Sequence, residues 1–99
     1  MILCGIESHV CVQQTALDLL REEYDVFLVC DAVSSQRPYD RTVAINRLRE
    51  AGAVLTTTES IIFDLMRDAK HPNFKAISGL IKKQKEVPDV HLFDNSQFL

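Results

Sequence analysis

The chain has 99 residues, 46% hydrophobic and 25% charged, with three glycines and three prolines; this suits one small folded domain and excludes a disordered or low-complexity chain. A net charge of −3, the absence of tryptophan and the lack of a basic stripe interleaved with aromatics argue against a nucleic-acid surface, and no apolar run reaches the ~18 residues of a membrane-spanning helix. Three cysteines without a C-x-x-C pair set aside a disulfide framework and a structural zinc site, so the expectation is a soluble protein of a reducing, cytoplasmic compartment with no cofactor and no metal.

In chain order, "ILC" is a short β-type run that ends at Gly5. Val12, Ala16, Leu19 and Leu20 then recur at helical spacing through residue 22, with Ser8 as the expected N-cap. "DVFLVCDA" has the continuous apolar character of a strand buried on both faces, and it breaks at Asp31 and Ser34-Ser35. A second helix follows, with Pro38 in its first turn, Ala44, Leu48 and Ala51 on one face, and Gly52 as its left-handed stop. "AVLTT" is a third strand. Thr56 and Glu59 match a capping box opening a helix that carries Ile62, Leu65, Met66 and Ala69, and Pro72 restarts the chain as a last helix with Phe74, Ile77 and Ile81 on its apolar face. The Lys82-Lys83-Gln84-Lys85 cluster suits that helix's last turn. The alternation implies a parallel sheet with helical crossovers, an α/β layered fold.

In such sheets ligands lie beyond the carboxyl ends of the strands, an edge that collects Gly5 through Cys11, Asp31 through Ser35 and Thr56 through Thr58. Cys11 stands in the first turn of a helix aimed at that edge, where free amides favour a thiolate and can hold the oxyanion of an attacked carbonyl. The bland alternative is a small thiol packed under the sheet edge. Cys4 and Cys30 sit inside apolar runs and read as small hydrophobes. Two motif readings fail: "GIESH" places its serine one position late for the G-x-S-x-G elbow and lacks the second glycine, and the dinucleotide fingerprint lacks two glycines after Gly5.

"LCGIESHVCVQQTALDLL", "VFLVCDAVSS", a "DR…A…RL…AGA" helix, "LTTTES" and "HPNFKAISGLIKK" together resemble the isochorismatase-like cysteine hydrolases, most closely their eukaryotic isochorismatase domain-containing branch, over residues 2 to about 83. The resemblance implies a three-layer, Rossmann-like parallel sheet with flanking helices. It implies Cys11 as nucleophile, a cis peptide between Ile6 and Glu7, and an oxyanion hole made by the backbone N–H groups of Glu7 and Cys11. The substrate would be a small amide, ester or enol ether. No role passes to Ser8 or His9, and His9 reads as a partly exposed turn residue.

The family's catalytic Asp and Lys, and the metal-binding Asp and His of some relatives, lie on elements that precede the cysteine's strand, and nothing here matches them. Asp31 and Lys70 have suitable chemistry but not the motif positions; Asp31 is expected to cap or line the cleft and Lys70 to close a helix. Residues 1–86 are therefore expected to form only the C-terminal βαβαβα half of the domain, with 87–99 as a tail. The first strand would present an open edge and promote self-association. Two functions remain open: a hydrolase domain, truncated and inactive alone, or a non-catalytic module that binds a partner or oligomerises.

Overall fold

The computed structural model describes residues 1–86, so the tail expected over 87–99 lies outside the described residues. Three strands, β1 (Ile2–Ile6), β2 (Phe27–Ser34) and β3 (Val54–Thr56), form one parallel sheet in the order β1-β2-β3. The connections are helical: a π-turn at Ser8–Val12 continuing into α1 (Gln13–Arg21), then α2 (Pro38–Glu50); α3 (Thr58–Met66) and α4 (Phe74–Gln84) follow β3. This is the expected α/β architecture of a parallel sheet flanked by helices.

Burial follows from strand position. Leu28, Val29 and Cys30 are successive residues of β2 and all three are buried, as a strand covered on both faces requires. Leu28 and Cys30 join Val12 and Ala16 of the first helical run, Ile45 and Leu48 of α2, and Val26, Val33 and Ala53 in one apolar cluster, with Leu3 and Leu55 packed against it. Val29 points to the opposite face, and α3 packs against β2.

Several boundaries differ from the sequence reading. β1 runs past Gly5 to Ile6, and at Gly5 the backbone takes a φ of +127°, outside the range an L-residue adopts easily. A Cβ there would meet only ordinary contact, Val12 Cγ2 at 3.9 Å, so the dihedral and not space selects glycine. The N-cap of the first helical run is Glu7, not Ser8; Ser8 is 2% exposed and lies inside the π-turn. On α2 the buried face is Arg41, Ala44, Ile45 and Leu48, while Ala51 is exposed beyond the last turn. Gly52, at φ +114°, ends α2 as expected: its N–H bonds the Arg49 carbonyl and the Ala53 N–H bonds Leu48, a Schellman closure.

Thr57, one residue later than expected, caps α3: its Oγ1 accepts the Ser60 N–H at 3.2 Å. α3 stops at Met66 because Arg67 takes a φ of +66°, which leaves Ala69 and Lys70 in the following turn instead of on the helix, and Leu65 is exposed. α4 starts at Phe74, two residues beyond Pro72, with Ile81 buried and the Phe74 ring 5.7 Å from that of Phe63.

The β1–β2 register is interrupted: Leu3 pairs with Leu28 but Gly5 with Val33, so β1 advances two residues while β2 advances five. Such a bulge frees backbone carbonyls that need partners. Arg41 supplies them, its Nε donating to the Val33 carbonyl at 3.0 Å and its terminal nitrogen donating to the Cys30 carbonyl. The side chain is 3% exposed; burial works against its charge, and the neighbouring Cys30 and Asp31 support it.

Candidate active site

The carboxyl end of β1 turns directly into the segment that carries Cys11. The Ile6–Glu7 peptide is cis, and the Glu7 carbonyl accepts the N–H groups of Val10 (3.1 Å) and Val12 (3.2 Å), closing the π-turn. Val12 already has α-helical dihedrals, φ −64° and ψ −48°, so the helical backbone runs unbroken from Ser8 into α1. Cys11 thus lies in the first turn of that continuous run and is exposed. A small open recess of about 150 Å³, lined by Leu3, Cys4, Ile6, Cys11, Val12 and Thr15, lies against the turn and the outer strand.

The three thiols separate by environment. Cys30 is 5% exposed, and burial pushes its thiol up, opposed by the nearby Arg41 charge. Cys4, expected to behave as a small hydrophobe, is exposed on β1, an edge strand of this sheet. It shares the recess with Cys11.

Two polar clusters tie the strand ends together. In the first, the Glu7 carboxylate accepts the Gln36 N–H at 3.0 Å, His9 Nδ1 lies 2.8 Å from Ser35 Oγ and 3.7 Å from Glu7 Oε2, and His9 Nε2 lies 3.8 Å from Asp40 Oδ2. In the second, Asp31 Oδ1 accepts both the N–H (2.8 Å) and the hydroxyl (2.9 Å) of Thr58, the first residue of α3. Asp31 therefore caps α3 from the adjoining strand, one of its two expected roles. Lys70 is an exposed turn residue whose own N–H is held by Asp68. Among the described residues no group of three or more His, Cys, Asp or Glu side chains is placed to hold a metal ion, and no helix is long and apolar enough to cross a membrane.

Arg41 and the His9 cluster were not anticipated. Arg41 had a readable signal, since positions 41, 45 and 48 share a helix face. His9, 26 residues from Ser35, had none.

A parallel sheet whose first strand delivers an exposed cysteine at the start of a helix defines the class as an α/β fold with a candidate thiol site. The isochorismatase domain matches residues 1–60, and the chain belongs to the isochorismatase family. It is 55% identical over 87 residues to a protein of Phytophthora sojae named "Secreted isochorismatase effector Isc1", covering 88% of this chain and 41% of that one. To "Isochorismatase domain-containing protein 2" of Xenopus laevis it is 49% identical over 89 residues, covering 90% of this chain and 42% of the relative. The fold is also that of "MAR1 Ribonuclease" from Caenorhabditis elegans, with a TM-score of 0.83 and 45% identity over 94% of this chain and 47% of the other, and of the YcaC hydrolase of Escherichia coli, described as octameric, with a TM-score of 0.68 and 28% identity over 84% and 47%. The chain spans about two fifths of the length of the curated relatives it matches.

Proposed function

We propose that the chain carries the nucleophile-bearing part of an isochorismatase-like cysteine hydrolase site, with Cys11 as nucleophile. The observation that supports this best is the exposure of Cys11 in the first turn after β1, at the edge of a small open recess. In this reading the Cys11 thiolate adds to the carbonyl of a small amide or ester, and the backbone N–H groups of Glu7 and Cys11 receive the oxyanion. Collapse expels the amine or alcohol, which takes a proton from solvent, and water then hydrolyses the thioester. In this reading no Asp or Lys among the described residues is assigned to the proton transfers, and the 99-residue chain is expected to react once and to turn over near background.

The test incubates the protein with a small activated ester and follows intact mass and product. The expected result is one acyl adduct, lost in Cys11→Ser, without sustained turnover. Absence of the adduct overturns Cys11 as nucleophile. Turnover that depends on Cys11 overturns the inactivity of the chain alone. The ribonuclease named among the similar structures makes RNA cleavage a second assay; the net charge of −3 opposes RNA binding, and no cleavage is expected.

A second reading, a module that pairs with another chain, is favoured by β1 as an edge strand whose Ile2 and Ile6 are exposed together with nearby Met1 and Val10. Three free thiols fit a reducing, cytoplasmic compartment, although one relative carries the name of a secreted effector; fractionation of the source cells decides this.

A further inference from the structure

We infer that His9 is a positioning residue: with Ser35 it forms a proton-sensitive latch that holds the Cys11 turn against the loop after β2. This rests on the reading of Cys11 as nucleophile. His9 and Glu7 flank the start of the π-turn, and each is tied to a successive residue of the loop between β2 and α2, His9 to Ser35 and Glu7 to Gln36. The Glu7 carbonyl in turn accepts the Val10 and Val12 N–H groups on either side of Cys11. Whatever fixes Glu7 and His9 therefore fixes the backbone that carries the thiol.

The ring faces charge on two sides. The charged groups placed at it are Glu7, 3.7 Å from Nδ1, and Asp40 of α2, 3.8 Å from Nε2; the neutral partner is Ser35. In the neutral imidazole only one nitrogen carries a proton. The Glu7 and Asp40 carboxylates stand at nearly equal distances from Nδ1 and Nε2, respectively, so the neutral ring pairs with Ser35 Oγ either as donor or as acceptor at Nδ1 and leaves one of the two carboxylates facing a bare nitrogen. The imidazolium carries both protons: Nδ1–H then donates to Ser35 Oγ beside the Glu7 carboxylate while Nε2–H faces Asp40. Protonation turns a neutral contact into a charge-assisted one and joins the turn to both the loop and α2. The ring is only 30% exposed, which limits solvent screening.

Amide hydrogen exchange at Val10, Val12 and Gln36 measures the latch without relying on any chemistry at Cys11. At about pH 5 relative to about pH 8, protection at these amides should rise about fivefold to tenfold beyond the intrinsic pH dependence. His9→Gln, which keeps a hydrogen-bonding side chain but cannot charge, should abolish that rise and leave protection at the upper pH close to that of the unaltered protein. His9→Ala should lower protection at every pH; where it fails to fold, Ser35→Ala keeps the ring and removes its neutral partner.

Alkylation of Cys11 by iodoacetamide in the same samples tests the positioning role, and a severalfold slower reaction of His9→Gln at the lower pH is expected. Superimposable exchange profiles for the unaltered protein and His9→Gln would overturn the proposal. So would altered exchange with an unchanged Cys11 rate. If Cys11 reacts no faster than Cys4 while the exchange step is present and lost in His9→Gln, the nucleophile reading fails and the latch stands.

Discussion

Cys4, Cys11 and Cys30 share a side chain and differ in everything that governs its reactivity. Cys30 is buried and its thiol is pushed up, so it should resist iodoacetamide near pH 7 until the domain unfolds. Cys4 and Cys11 are both exposed and line one recess, but only Cys11 stands at the start of a helix, and it should react first. Peptide mapping after timed alkylation gives the order; equal rates at Cys4 and Cys11 would remove the helix-start argument. The Cys30 shift also has a consequence for stability. A thiol raised on folding stabilises the fold fully below its unfolded pKa, and this contribution is lost as pH climbs through the folded pKa. Urea melts at about pH 8 and about pH 10 should therefore show a smaller alkaline loss in Cys30→Val than in the unaltered protein.

At the scale of elements, two long-range side-chain contacts join secondary structures that local propensity forms separately. Asp31 holds the first turn of α3, and Asp31→Ala should cost about 1 kcal/mol, as loss of a helix cap does, with Asp31→Asn recovering part of it. Arg41 bridges the two carbonyls at the β2 bulge. Arg41→Met keeps much of the volume but leaves buried carbonyls without these donors, and a loss of about 3 kcal/mol or more in chemical denaturation is expected. A much smaller loss would mean that water replaces the guanidinium.

For the whole molecule the decisive feature is that β1, like β3, is an edge strand of the sheet, and β1 is the more apolar and the longer of the two. Among the described residues its pairing groups on one side face no strand, and Met1, Ile2, Ile6 and Val10 add exposed apolar surface at it. We propose that two copies pair through β1 about a two-fold axis. Size exclusion with light scattering at low micromolar concentration should show a dimer or larger species, shifted toward monomer by Cys4→Pro, which removes a pairing N–H from the strand. A monomer with a sharp cooperative melt would sink this proposal.

Strand and helix types, the parallel architecture, and the family were legible in the sequence, because each rests on short-range signals: the unbroken apolar run of "FLVC", the helical spacing of Val12 and Ala16, and the residues around Cys11. Helix ends were less legible. Thr56 and Thr57 offer the same cap chemistry one residue apart, and only the dihedrals decide between them; the same holds for Arg67, whose positive φ ends α3 without a glycine. The exposure of Cys4 was not drawn from its apolar run, because such a run signals a strand without saying which of its side chains are covered. The burial of Arg41 was readable in part, from the helix face it shares with Ile45 and Leu48, whereas its carbonyl partners and the meeting of His9 with Ser35 and Asp40 lay furthest from reach. Local sequence determines which segments are strands and helices, since backbone sterics and apolar spacing act over a few residues. The bulge that demands Arg41 and the loop that receives His9 depend on how β1, β2 and α2 meet, and only the packed tertiary structure decides that.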